Sequence, residues 1–194
     1  MSKSHVNDAD LVARARQGDQ DAFGELVRRH QAAVHRAALT ASGSAADADD
    51  IAQDAFVLAF ERLKSFRGES SFKTWVLTIT WNQAMNHRRK AARWFKRFMS
   101  VDRADGSEFT AIGFAASGRT PEDLLAHDQL RDGIRDAIRA LPGPLRDALL
   151  RAASGEYSYD EIGAMVKAKT GTIKWRVSEA RRRVRETIDR RSAD

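Results

Sequence analysis

No proline occurs in the first 120 residues of this chain, and the three present, Pro121, Pro142 and Pro144, all fall in its last third or just ahead of it. A proline ring clashes with the preceding helical turn and its nitrogen has no hydrogen to donate, so a helix interior excludes it. Such a stretch is free to form helices of any length. No segment alternates apolar and polar residues with the β-branched enrichment of a strand. The pattern predicts an all-α chain.

Apolar residues at helical spacing divide it. A short helix is expected over 10–17, stopped by Gly18, and a longer one over 21–40, carrying Phe23, Leu26, Val27, Val34, Ala38 and Leu39. A turn over 41–46 follows, with Ser44 and Asp47 spaced as a capping box. The next helix runs to Lys64, with Ile51, Ala55, Phe56, Ala59, Phe60 and Leu63 on one apolar face. A polar loop over 66–71 around Gly68 precedes a long helix over 72–98. Residues 100–119 hold three glycines and show no period. At about 20 residues this stretch is too long for a loop inside a compact domain. Helical patterns resume over 122–139, 144–153, 158–166 and 170–188. Two small helical domains are therefore expected, 1–98 and 122–194, joined by a flexible linker over 99–121.

Charge follows this division. Residues 1–95 carry 14 Lys/Arg against 11 Asp/Glu, residues 96–125 carry 4 against 5, and residues 126–194 carry 15 against 11. Within 167–191 there are 10 basic and 3 acidic residues, and 86–97 holds six basic residues and no acid. Two separate basic footprints of this kind suit nucleic acid. The absence of cysteine excludes disulfides, thiol catalysis and thiolate metal sites. The N-terminus lacks the apolar core of a signal peptide, and no window is apolar enough to span a bilayer, so a cytoplasmic protein without membrane insertion is expected. The histidines, His5, His30, His35, His87 and His127, are scattered. No Gly-rich phosphate loop, HExxH or Ser/His/Asp set occurs. No enzymatic activity, metal or cofactor is expected.

The most informative stretch is 158–183. Ser158 and Glu161 have capping-box spacing, and Ile162, Met165 and Val166 make the apolar face of a short helix. After a break at 167–169, a second helix opens at Thr170, with Ile173 and Val177 facing inward. This is the layout of a helix-turn-helix, whose second helix enters the major groove with its first turns at the base edges. Lys169, Thr170, Thr172, Lys174, Trp175, Arg176 and Arg181 are the candidate contacts. Arg182, Arg183 and Arg185 cannot all face the same groove, so most of these basic residues serve phosphates or solvent. A plain helical hairpin with a wetted basic face has the same outline.

Residues 141–187 resemble region 4 of the extracytoplasmic-function sigma factors. The match lies at Leu141, Pro142, Tyr159, Glu161, Ile162, Gly171, Thr172, Ile173, Lys174, Arg176, Val177, Ala180 and Arg181. Lys167 stands where that pattern commonly has glycine, Lys169 where it has proline, and Trp175 where it has a small residue. Trp175 could pack inward, stack on a sugar or meet a partner.

The N-terminal half resembles region 2 of the same family. Residues 48–56, ADDIAQDAF, are similar to its A-E-D-L-x-Q-E-x-F, and 66–75, FRGESSFKTW, to its F-R-G-x-S-x-F-x-T-W. Residues 79–82, ITWN, and 86–90, NHRRK, follow in the family's order. The resemblance implies that Asp49, Asp50, Gln53, Asp54 and Glu61 dock on core RNA polymerase. It also implies that 66–72 and the next helix melt the minus-10 element and hold an extruded base. Arg67, Ser70, Ser71 and Asn82 are the candidate polar groups, and Phe72 and Trp81 the candidate aromatic walls. Phe72 reads equally as a core anchor. Trp75, four residues from Ile79, belongs with the core, whereas Trp81 lies on a different face and is offered to DNA. Arg88, Arg89, Lys90 and Arg93 are assigned to phosphates. Region 4 would read the minus-35 element, and an anti-sigma factor is the expected regulator. A free-standing helix-turn-helix regulator, which would bind duplex DNA alone, and a recombinase-like enzyme are the competing readings. The first lacks an account of 48–90, and the second lacks a catalytic cluster.

Overall fold

The computed structural model describes residues 6–98 and 121–193. Among them are eight α-helices, one 3₁₀ turn and no strand. The chain divides into two compact units, 1–108 and 109–194. Apart from Pro121, which opens a helix, the expected linker at 99–121 lies outside the described residues.

In the first unit, α1 (Asp8–Arg16), α3 (Ala45–Arg62) and α4 (Phe72–Phe98) pack against α2 (Gln20–Ser42). Alanines permit the close approach. Ala37, Ala38 and Ala41 of α2, Ala48, Ala55 and Ala59 of α3 and Ala84 of α4 are fully buried. Larger side chains fill the remaining space: Leu26, Val34, Ile51, Val76, Leu77 and Trp81. Side-chain caps satisfy the open N–H groups at helix starts. Asn7 accepts from the Asp10 amide at 2.8 Å, Asp19 from Ala22 at 3.0 Å and Ser44 from Asp47 at 3.2 Å. Asp19 is held below the ordinary carboxylate range by the Ala22 amide first and by Arg14 second.

Element boundaries differ slightly from the sequence pattern. α2 continues to Ser42 and ends on Gly43 with φ 76°, so the expected turn at 41–46 shrinks. The Ser44 amide donates to Ser42 Oγ at 3.2 Å, which completes that corner locally. α3 stops at Arg62, and a 3₁₀ turn, Leu63–Ser65, replaces its last expected turn.

The second unit comprises α5 (Pro121–Ala140), α6 (Gly143–Ala153), α7 (Tyr159–Val166) and α8 (Thr170–Ala193). α8 packs against the other three. Its core holds Ile162, Ile173, Val177 and Ala180, with Leu141, Leu145, Leu149 and Val184 beside Ala180. Arg151 and Tyr157 are also buried. Burial lowers the Arg151 pKa and pushes the Tyr157 phenol well above its ordinary range.

Candidate nucleic-acid and partner surfaces

The loop at 66–71 is rooted at both ends. Phe66 and Phe72 are 8% and 3% exposed, whereas Arg67 to Ser71 lie in solvent. Phe66, Phe72 and Trp75 form one aromatic cluster, with centroids 4.9 Å apart for Phe66–Trp75 and 5.9 Å for Phe72–Trp75. His30 of α2 closes its far side, 5.6 Å from Phe72. Ser71 Oγ accepts from the Thr74 amide at 3.0 Å and so caps α4. Arg67 and Glu69 are 3.8 Å apart and exposed. On the other side of the loop, Arg16 of α1 donates to the Leu63 and Lys64 carbonyls at 3.1 Å each and to the Phe66 carbonyl. Nothing local in the sequence marks Arg16, because its partners lie 47–50 residues away.

The tryptophans correct the sequence reading. Trp81 is 1% exposed and is a core side chain, as is Phe72; neither offers DNA a stacking face. Trp75 is half-buried. Helical spacing puts Trp75, Asn82, Asn86, Arg89 and Arg93 along one line of α4. The last four are exposed, and Lys90 is exposed beside them. Arg88 is half-buried, and its guanidinium reaches the Ala41 carbonyl at 3.5 Å.

On α3, Asp49, Asp50, Gln53, Asp54 and Glu61 are all exposed. Two apolar side chains accompany them. Val57 and Phe60, 53% and 48% exposed, share their face. At 3.6 residues per turn, these seven positions fit in one arc of about 140°. The expected apolar face of α3 therefore splits. Ile51, Ala55, Ala59 and Leu63 are buried, Phe56 is half-buried, and Phe60 turns outward against Phe23, with ring centroids 5.0 Å apart. A shallow groove between α2 and α3, lined by Val27, His35, Asp49, Gln53 and Phe56, borders this arc. His35 Nε2 lies 3.2 Å from Asp49.

In the second unit, the capping box at Ser158 is complete: Ser158 Oγ takes the Glu161 amide, and Glu161 takes the Ser158 amide at 2.8 Å. The turn that follows is tight. A Cβ on Gly163 would stand 2.6 Å from the Ala168 carbonyl oxygen. Lys167, where glycine was expected from the family pattern, adopts φ 52°, a left-handed conformation that costs a side-chain-bearing residue about 1 kcal/mol or more. The Thr170 hydroxyl is committed to Asp160 across the turn.

α8 then sorts its residues by face. Ile173, Val177 and Ala180 point to the core. Helical spacing puts Trp175 on the opposite side, where it is 61% exposed, so it does not pack inward. Lys174 and Arg181 are exposed on one flank. Thr172 and Arg176 are half-buried on the other, and Lys169 is exposed at the helix entrance. Two basic residues are spoken for. Glu179 binds Arg182 at 2.7 Å and Arg183 at 2.7 Å, and Glu186 binds Arg182 at 2.5 Å. Those arginine hydrogen bonds hold the Glu179 carboxyl down to about 2, and the same contacts raise Arg182.

No group of metal-ligating side chains and no helix long and apolar enough to cross a membrane is found among the described residues.

Residues 26–94 match the family model for sigma-70 region 2. The chain is 34% identical over 186 residues to an ECF RNA polymerase sigma-E factor of Escherichia coli (strain K12), covering 95% of this chain and 93% of that one. It is 33% identical over 184 residues to the RNA polymerase sigma-H factor of Pseudomonas aeruginosa, covering 94% and 92%. Among solved structures it resembles the sigma factor RpoE of Bartonella quintana, determined in complex with the anti-sigma factor NepR. That likeness has a TM-score of 0.63 and 27% identity, over 86% of this chain and 96% of that one.

Proposed function

Since the chain belongs to the extracytoplasmic-function group of the sigma-70 family, we propose that it binds core RNA polymerase in the cytoplasm, directs it to specific promoters and helps open the minus-10 element. The observation that carries the residue assignments is the exposed loop 67–71, held at both ends beside the line of Trp75, Asn82, Asn86, Arg89 and Arg93. A melted strand needs polar groups for a displaced base, a ring to stack on and cations for its phosphates. Arg67, Ser70 and Asn82 supply the first, Trp75 the second, and Arg89, Lys90 and Arg93 the third. Ser71 contributes as the cap that fixes the loop's exit.

The α3 arc is the core-polymerase surface in this reading. Its carboxylates repel DNA, and exposed Val57 and Phe60 add the apolar area that a protein partner buries. α8 reads the minus-35 element, with Trp175 facing the groove floor and Lys174 and Arg176 its two walls. An anti-sigma factor is the proposed regulator, as NepR is the partner of the Bartonella relative. The chain itself performs no catalysis in this scheme and needs no cofactor.

Transcription from a genomic template library by core polymerase, with and without the full chain, tests the proposal. Promoter-specific transcripts that depend on the chain, and disappear with Asp50→Lys together with Asp54→Lys, are expected. Specific duplex binding by the chain alone, with no stimulation of core polymerase, would instead establish a free-standing regulator.

A further inference from the structure

We propose that Arg16 is a positioning residue for strand capture: from the first helix, its guanidinium fixes the angle at which loop 67–71 meets the unpaired strand. The proposal rests on the reading of that loop as the minus-10 contact. Carbonyls just past a helix C-terminus lie at the negative end of its dipole, and here Leu63 O takes the Phe66 amide at 3.2 Å with a lone pair left for a further donor. A planar guanidinium presents several N–H groups in a fixed fork. Arg16 uses Nε on Leu63 O and Nη2 on both Lys64 O and Phe66 O. One side chain thereby holds the end of α3, the 3₁₀ turn and the residue at which the loop departs.

The loop has little of its own to hold it. Ser70 Oγ reaches the Ser71 carbonyl only at 3.4 Å, and the Arg67–Glu69 pair at 3.8 Å is solvent-exposed and weak. Its orientation is therefore set at its two ends. Ser71 and Phe72 fix the exit into α4. Arg16 fixes the entry, and it does so across the fold. α1 is in turn clipped to α2, because Asp8 binds Arg29 at 3.0 Å and His30 at 2.7 Å. Displacing α1 would remove the polar hold on the loop's entry and leave only the packing of the Phe66 ring. Arg14, on the same helix, makes a different contact: it pairs with Asp19 at 2.7 Å at the start of α2. It is a matched control for docking of α1 without loop anchoring.

The test uses full-length chains in complex with core polymerase. The probe is a fluorescent single-stranded oligonucleotide carrying the minus-10 non-template sequence of a promoter that the wild-type holoenzyme selects from random DNA. Arg16→Ala should weaken oligonucleotide binding about tenfold, the loss expected for removing charge-assisted hydrogen bonds, with affinity for core polymerase unchanged. Arg16→Lys should recover part of that loss, and Arg14→Ala should bind the oligonucleotide like wild type. Equal losses in Arg14→Ala and Arg16→Ala would overturn the proposal, leaving Arg16 a helix-docking residue. Wild-type binding by Arg16→Ala while Arg67→Ala loses affinity would overturn it too and leave the loop assignment standing. If Arg67→Ala and Arg16→Ala both bind normally, the loop assignment falls and takes the proposal with it. Should Arg16→Ala not fold, Arg16→Lys stands in: a single ammonium in place of the fork must still show a measurable loss, or the proposal fails.

Discussion

Each unit has one long basic helix that carries tryptophan, and Trp81 of α4 and Trp175 of α8 are used in opposite ways. α4 lies against both α2 and α3. Its buried arc is wide, and Trp81 is consumed by the core at 1% exposure. Among the described residues of α4, the exposed ones are all polar: Asn82, Asn86, Arg89, Lys90 and Arg93. α8 presents a narrower line of Ile173, Val177 and Ala180 to its neighbours, so Trp175 stays outside at 61% exposure. A helix with a wide buried arc keeps most of its bulk for folding and leaves recognition to its polar edge, the half-buried Trp75 and an adjoining loop. A helix whose buried line is narrow can project a large ring into a groove. The first suits a strand already opened, and the second suits an intact duplex.

The sharpest break of this comparison is a pair of truncations. Trp81→Ala should destabilise the first unit by about 3–5 kcal/mol, the cost of a large cavity. Trp175→Ala should change stability by no more than about 0.5 kcal/mol, as surface substitutions do. Denaturant unfolding of the two variants decides it, and similar losses would erase the distinction. Next in size is the effect on duplex binding by holoenzyme. Lys174→Ala and Arg176→Ala should each weaken minus-35 binding about tenfold or more. Arg182→Ala should do far less, because Glu179 and Glu186 already occupy that side chain. Fluorescence anisotropy on one promoter fragment ranks the three.

A smaller effect probes how tightly α8 is aimed. Lys167→Gly should raise the melting temperature by relieving a left-handed side-chain-bearing residue, a gain of about 1 kcal/mol. Gly163→Ala should lower it, since the new methyl would meet the Ala168 carbonyl. The smallest effect concerns acid. Glu179 titrates at about 2 in the folded chain, below its ordinary 4.5. Its contribution to stability is therefore complete above pH 4.5 and is lost as pH falls toward 2. Carboxyl-carbon NMR of the native chain should find that midpoint, and Arg182→Ala with Arg183→Ala should move it up.

The all-α class, the eight helical segments and the exposure of the α3 acids were legible in the sequence, since they follow from proline placement and helical period. The choice between Trp75 and Trp81 was not. Spacing to Ile79 ties Trp75 to the core, yet burial of α4 on two sides takes in Trp81 more completely. Phe60 misled for the reverse reason: the apolar face of α3 is wider than the surface α2 and α4 cover, and the excess emerges among the acids. Arg16 left no local trace, because its acceptors are backbone carbonyls some 50 residues on. Lysine does not announce the positive φ at Lys167; the one signal is the family pattern, which commonly has glycine there.

The pairing of Glu179 and Glu186 with Arg182 and Arg183 has a consequence for the search through a genome. Each cation withheld from phosphates lowers affinity for arbitrary duplex, where the binding is a matter of counterion release. A genome offers about 10⁶–10⁹ such competing sites. Two arginines kept occupied by the chain's own acids shorten every idle stop along that sequence, and leave more of the free subunit to find polymerase first.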